Sequence, residues 1–224
     1  MDKRGLFITG TDTDVGKTVV STVLLHALRR HGYKAIGMKP VASGCVQTDE
    51  GWRNADALAL QAASHPRPEY ELVNPFALPE PTAPQIAAAR AGMVVSLPPI
   101  LAAYRQLAAQ TDMMVVEGVG GWLAPLADQL DQNAFVQTLE LDVILVVGLR
   151  LGCINHARLT ERCILQDGGR LVGWVGNTAD TRLSFATEYF QTLRRALGAP
   201  CLGLLPFAPQ ADPAMLAGYL NISF

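Results

Sequence analysis

The chain has 224 residues, 50% of them hydrophobic, and a formal net charge of -2. That composition supports a large core and excludes disorder, and the near-neutral balance gives no reason to expect nucleic acid or an anionic membrane surface as a partner. Cys45, Cys153, Cys163 and Cys201 lie far apart, and His26, His31, His65 and His156 make no ligand spacing, so zinc is not expected. The sequence offers neither a signal peptide nor an apolar run long enough for a bilayer, and reduced thiols in a cytoplasmic protein are the expectation.

Leu6-Phe7-Ile8 reads as a buried strand running into Thr9-Gly10-Thr11-Asp12-Thr13-Asp14-Val15-Gly16-Lys17-Thr18. A strand, a tight loop and a helix in that order meet the needs of a phosphate-binding loop, whose N–H groups converge on the anion at a helix N-terminus. Lys17 is placed to reach the β- and γ-phosphates of a nucleotide and the Thr18 hydroxyl to ligate Mg²⁺. Gly10 and Gly16 are separated by five residues rather than the usual four. The plainer reading is an ordinary strand-to-helix turn carrying an exposed lysine.

Val20, Val23, Leu24, Ala27 and Leu28 mark one helix face, closed by Arg29, Arg30 and Gly32. Ala35 to Met38 follows as a second strand, so the unit is a parallel βαβ. Lys39 and Ser43 then fall beyond that strand's carboxyl end, on the edge where open parallel sheets bind ligands. Lys39 is open to two readings here, a phosphate ligand or a solvated strand-end lysine. Asn54 caps a short helix through Leu60, and Asp56 either favours that helix's first turn or approaches a metal.

From His65 to Pro99 the chain is proline-rich, with one helix expected from Pro84 to Arg90 and another from Ile100 to Ala109. Met113 to Val116 is a strand ending in Glu117, the strand-end carboxylate that a phosphate loop needs to position Mg²⁺. An acid merely ending a strand is the alternative. Gly118, Gly120 and Gly121 are expected to allow close backbone approach to a ligand. Val143 to Gly148 reads as a central strand, Leu149 to Asn155 as a turn, and a helix follows through Gln166. Leu171 to Asn177 is a strand, Leu183 to Leu197 a helix, Cys201 to Pro206 a strand, with a short helix near Met215. This alternation predicts a single doubly wound α/β domain over residues 1–224, of P-loop NTPase type, with a mostly parallel sheet flanked by helices.

Six segments in this order resemble the dethiobiotin synthetase family, from Phe7 to about Tyr219. They are Gly10 to Thr18, Lys39 to Gly44, Arg53 to Asp56, Val116 to Trp122, Leu151 to His156 and Gly173 to Asn177. The resemblance implies ATP-dependent closure of the ureido ring from 7,8-diaminopelargonate and CO₂ or bicarbonate, with Mg²⁺. It implies catalytic roles for Thr13, Lys17, Lys39 and Ser43, and nucleotide contacts from Asp14, Val15, Gly16, Lys17, Thr18, Val19, Glu117, Gly118, Gly120 and Gly121. Asn177 and Pro206 match contacts to the base, and Thr18, Asp56 and Glu117 match the metal set, which moves Asp56 from cap to ligand. Substrate contacts are implied for Thr13, Lys39 and Ser43, and for Gly152, Cys153 and Asn155 at a homodimer interface. Asn155 as a simple cap of its own helix is the alternative. After Pro206 the chain departs from the family pattern.

The runner-up is a partitioning or metal-insertion ATPase of the same fold, acting as a switch. Those proteins usually carry an extra lysine early in the loop, where this chain has Thr11 and Asp12. An inactive paralogue kept as a binding module is the third reading. Alanine at Lys17 or Lys39 is expected to abolish most turnover and leave the fold intact.

Overall fold

The structure is a computed structural model that describes residues 4–179 and 183–222. Its frame is a parallel sheet built from the apolar runs. The chain enters through β1 (Arg4–Gly10), α1 (Lys17–Arg30) and β2 (Ala35–Met38). It then leaves the sheet for an elaboration: β3 (Val41–Ser43), β4 (Val46–Thr48), β5 (Gly51–Arg53), α2 (Ala55–Ala63), α3 (Tyr70–Val73), β6 (Phe76–Leu78), α4 (Pro84–Arg90) and α5 (Leu97–Ala108). β7 (Met113–Gly121) returns to the sheet, and β8 (Pro125–Ala127), β9 (Leu130–Asp131) and α6 (Asn133–Thr138) form a second excursion. The chain closes with β10 (Asp142–Gly148), α7 (Cys153–Gln166), β11 (Arg170–Asn177), α8 (Ala186–Ala196), β12 (Cys201–Leu205) and α9 (Pro213–Leu216).

The strand order is β12-β11-β10-β1-β7-β2, with every neighbouring pair parallel. Chain order reverses about β1, so the phosphate loop leaves the sheet at the switch point, where a crevice opens beyond the strand ends. Side-chain alternation assigns the two faces. Leu6, Ile8, Met113 and Val115 pack beneath α1 and α2, while Phe7, Met114 and Val116 pack beneath α5 and α6. A third cluster joins Leu145, Val147 and Trp174 to α7 and α8. By the same period of two, Glu117 points to the α1 face, the side on which Thr18 stands.

Three helix starts differ from the sequence expectation. The helix expected at Ile100 begins at Leu97, with Pro98 and Pro99 inside its first turn. Proline is tolerated there because first-turn N–H groups lack helical acceptors. The turn expected through Asn155 ends earlier, since α7 starts at Cys153 and Gly152, at φ 92°, occupies the cap position. Asn155 therefore lies within the helix and does not cap it. The helix expected from Leu183 begins at Ala186. Residues 123–139, for which the sequence suggested no element, hold β8, β9 and α6.

Candidate active site

The phosphate loop is shaped by its own main chain. Asp14 and Gly16 adopt positive φ, 58° and 92°, conformations that aspartate tolerates and glycine adopts freely. Gly16 is required twice over, because a Cβ there would lie 2.0 Å from Asn177 Nδ2. Asn177 donates to the Val15 carbonyl at 2.9 Å and so ties the loop to the end of β11. Thr11 N–H donates to Val146 O at 3.0 Å, which holds the loop's start against β10.

Two buried lysines stand at this edge in different surroundings. Lys17 Nζ donates to the Asp12 carbonyl at 2.8 Å. Burial, followed by the nearby Lys39 charge, lowers its pKa to about 8, against the raising effects of Glu117, Asp56 and Asp14. Lys39 Nζ donates to Glu117 Oε1 at 2.6 Å, Asp56 Oδ2 at 3.2 Å and Gly118 O at 3.3 Å. Burial works against this charge too, but the Glu117 and Asp56 carboxylates outweigh it and hold the pKa above the ordinary lysine value. The solvated reading of Lys39 is therefore overturned, since the residue is 4% exposed.

Glu117 is the centre of the cluster. Its Oε1 also accepts from Thr18 Oγ1 at 2.8 Å, so β7, β2 and the first turn of α1 meet at one atom. Its Oε2 is buried and has no hydrogen-bond partner. Asp56 reaches the cluster because Asn54 does the capping: Asn54 Oδ1 accepts from Asp56 N at 3.0 Å and Ala57 N at 3.2 Å. Capping thus belongs to Asn54, and the Asp56 carboxylate is left to Lys39. Ser43 Oγ is likewise buried without a partner. A buried polar group without a partner is costly, and both residues line a cavity of about 790 Å³.

That cavity brings together Thr13, Asp14, Gly16, Lys17, Thr18, Lys39, Ser43, Asp56, Glu117 and Gly120. It does not gather every expected residue. Val15 is in the core and Val19 lies 43% exposed on the outer side of α1, leaving only main-chain roles for both at the site. Gly118 is small for packing, because a Cβ there would meet Gln132 Oε1 and Phe7 at 2.6 Å, and Gly121 faces the Gly10 carbonyl rather than the cavity. Pro206 follows the end of β12, whose Leu205 pairs with Asn177, at the same sheet edge. Gly152, Cys153 and Asn155 lie beyond the end of β10 and do not line the cavity. Cys153 is buried and its N–H already donates to Arg150 O at 3.0 Å, leaving Gly152 and Asn155 as the accessible part of that turn.

Sequence reasoning passed over Asp12, Arg150 and Gln132. Asp12 pairs with Arg150 and accepts from Thr13 N at 2.8 Å. The Thr13 N–H, aided by Arg150, holds the Asp12 carboxyl below its ordinary value against the effect of burial. Nothing in the spacing of Arg150 or Gln132 signalled a role. A smaller hollow of about 540 Å³ among Arg29, Arg30, Lys34 and His65, at the far end of α1, contains none of the residues above.

Known proteins fit this geometry. A family profile described as an AAA domain matches residues 4–215. The chain is 54% identical over 222 residues to the ATP-dependent dethiobiotin synthetase BioD of Xanthomonas oryzae pv. oryzae, covering 99% of each chain. It is equally 54% identical to the protein of that name in Xylella fastidiosa, covering 99% of this chain and 98% of the relative. The chain belongs to the dethiobiotin synthetase family. Among solved structures, the MinC:MinD cell division complex of Aquifex aeolicus is similar at a TM-score of 0.56, with 14% identity over 92% of this chain and 83% of that one. The septum site-determining protein MinD of Pyrococcus horikoshii, complexed with Mg-ADP, gives 0.51 and 14% over 97% and 86%. At that identity the likeness shows the fold alone, and the fold is that of P-loop NTPases. Among the described residues no helix is long and apolar enough to cross a membrane.

Proposed function

We propose that the chain is an ATP-dependent ligase that closes the ureido ring of dethiobiotin from 7,8-diaminopelargonate, CO₂ and ATP. The observation that carries this reading is 54% identity over 99% of the chain to relatives named for that product. One amine takes up CO₂ as a carbamate and loses a proton. A carbamate oxygen attacks the γ-phosphorus of ATP, the bond to the bridging oxygen breaks, and ADP leaves. The second amine attacks the carbonyl carbon of the mixed anhydride. The bond between that carbon and the phosphate oxygen breaks, phosphate departs, and the amine's proton is lost as the ring closes.

The residues suit a reaction that depends on positioning and charge. Gly16, Lys17 and Thr18 hold the β- and γ-phosphates, with Asp14, Val15 and Val19 contributing main chain. Lys39 and the unpartnered Ser43 hydroxyl face the carbamate and the phosphoryl group in transfer, with Thr13 lining the same cavity. Asn177 and Pro206, at the ends of β11 and β12, contact the base. Thr18, Asp56 and Glu117 fit Mg²⁺, since they offer hard oxygens and Glu117 Oε2 is buried with no protein partner. Mg²⁺ bound there neutralises phosphate charge. The single family profile over residues 4–215 supports one domain, the net charge of -2 supports a setting without nucleic acid, and the chain is assigned to the cytoplasm.

The decisive test is whether ATP turnover requires both diaminopelargonate and bicarbonate and yields dethiobiotin. A switch ATPase of the same fold would hydrolyse ATP without either, and that outcome would overturn the reading.

The working unit is a homodimer. Leu151, 83% exposed beside Gly152, is an apolar residue that a partner would cover. The first turn of α7 carries no acidic side chain, so its N-terminus favours a carboxylate by about 0.3–2 kcal/mol. We place there the tail carboxylate of diaminopelargonate bound in the other subunit. A diaminopelargonate amide is expected to bind more weakly than the acid, and equal binding would remove the helix N-terminus from the site. A chain that stays monomeric at working concentration would remove the shared site.

A further inference from the structure

We propose that Gln132 is a positioning residue for ring closure, serving as a substitute strand residue that fixes the end of β7; this rests on the functional reading above. Pairing between β1 and β7 is regular as far as Ile8 opposite Glu117. It then shifts, so that Gly10 faces Gly121. Three residues of β7 consequently lie opposite one residue of β1, and their main-chain groups lose the ladder partners a strand supplies.

Gln132 replaces those partners. Its Oε1 accepts from Val119 N at 2.9 Å, and its Nε2 donates to Val119 O at 2.9 Å and to Gly121 O. One primary amide thus pairs with Val119 as a neighbouring peptide group would. The side chain is 1% exposed, so solvent does not substitute for it. Gly118 allows the approach, because a Cβ there would fall 2.6 Å from Gln132 Oε1.

Gln132 is itself held from the adjacent residue. Asn133 Nδ2 donates to Asp167 Oδ2 at 3.1 Å, and Trp122 Nε1 donates to the same oxygen at 2.7 Å. The start of α6 and the end of β7 are therefore pinned together on the C-terminal end of α7. What the bulge presents to the site is specific. Gly118 O accepts from Lys39, and Gly120 faces Thr13, its Cβ position lying 3.8 Å from Thr13 Oγ1. The bulge thus sets the wall shared by Lys39 and the reacting groups, whereas the phosphate loop has anchors of its own, Asn177 at the Val15 carbonyl and Val146 at the Thr11 N–H.

Only an amide of this length both accepts and donates here. Glutamate keeps the shape but cannot donate to two carbonyls when ionised, methionine keeps the bulk without the bonds, and asparagine keeps the chemistry one methylene short. Full-length Gln132→Glu, Gln132→Met and Gln132→Asn would be compared with the unaltered chain. Thermal melting, kcat for dethiobiotin formation and the Kd of a non-hydrolysable ATP analogue would be measured for each. The expected result is kcat lower by roughly 10–100-fold, the effect of misplacing reacting groups, with the analogue's Kd within about threefold. A folded Gln132→Met chain with near-normal kcat would overturn the assignment. So would kcat and analogue binding that fall in parallel, or failure of all three variants to fold, either of which makes the residue a determinant of the fold alone. The unaltered chain separates the two levels: if it makes no dethiobiotin, the functional reading falls and this assignment with it, whereas normal turnover beside an unimpaired variant sinks the role of Gln132 only.

Discussion

Lys39→Ala is expected to lose stability as well as turnover. Taken from the sequence alone, the substitution should spare the fold; the structure corrects this. Lys39 is 4% exposed and Glu117 is 1% exposed, with 2.6 Å between their charged atoms. Truncating the lysine leaves a buried carboxylate whose second oxygen already lacks a partner. Breaking a buried pair in that way costs about 3–5 kcal/mol, a large share of the roughly 5–15 kcal/mol that holds a domain together. The double variant Lys39→Met/Glu117→Gln removes both charges at similar volume. It should recover much of the lost stability and none of the turnover, because in the proposed reaction the phosphoryl group still lacks its cation. Thermal melting carries a further readout. Mg²⁺ should raise the melting temperature of Lys39→Ala more than that of the unaltered chain, since a divalent cation would no longer compete with the ammonium for Glu117 and Asp56. Equal melting of the single variant and the unaltered chain would show that the pair contributes little.

The sheet was legible in the sequence because parallel strands buried on both faces leave continuous apolar runs, as in Val143 to Gly148. The phosphate loop and Glu117 were legible because each follows such a run at a strand's carboxyl end. Asp56 was not decidable locally, because an acid in a helix's first turn suits the dipole and a nearby cation equally. The deciding fact is that Asn54 satisfies the N–H groups and leaves the Asp56 carboxylate for Lys39. Residues 123–139 gave no signal for a different reason. Strands of three and two residues and a helix of six are too short to show a period, and their stability comes from contacts made elsewhere. Gln132 belongs to that segment. Its importance comes from a main-chain bulge in a distant strand, which no local pattern records.

Lys17→Ala is expected to abolish most turnover with little loss of stability, the opposite balance to Lys39. Its ammonium donates to a main-chain oxygen and pairs with no carboxylate among the described residues. Desolvation first, and then Lys39, bring its pKa down to about 8. Folding therefore works against its charge, and its removal takes away a group that the free protein holds under strain of burial. In the reaction proposed above the same charge faces the phosphates, and loss of such a preorganised contact costs about 2.7–4 kcal/mol, or roughly 10²–10³-fold in rate. The depressed pKa adds a pH dependence whose sign is fixed. Below about pH 8 the free lysine is already charged, and nucleotide affinity should not change with pH on its account. Above that pH the free lysine is neutral. Phosphates favour its charged form, so binding must take up a proton and weaken by up to about tenfold per pH unit. Calorimetry of ATP binding in EDTA at pH 9, in buffers of different ionisation enthalpy, reads that uptake directly. The unaltered chain should take up a proton and Lys17→Ala should take up none. Equal heats across the buffers for the unaltered chain would mean that Lys17 is charged before the nucleotide arrives.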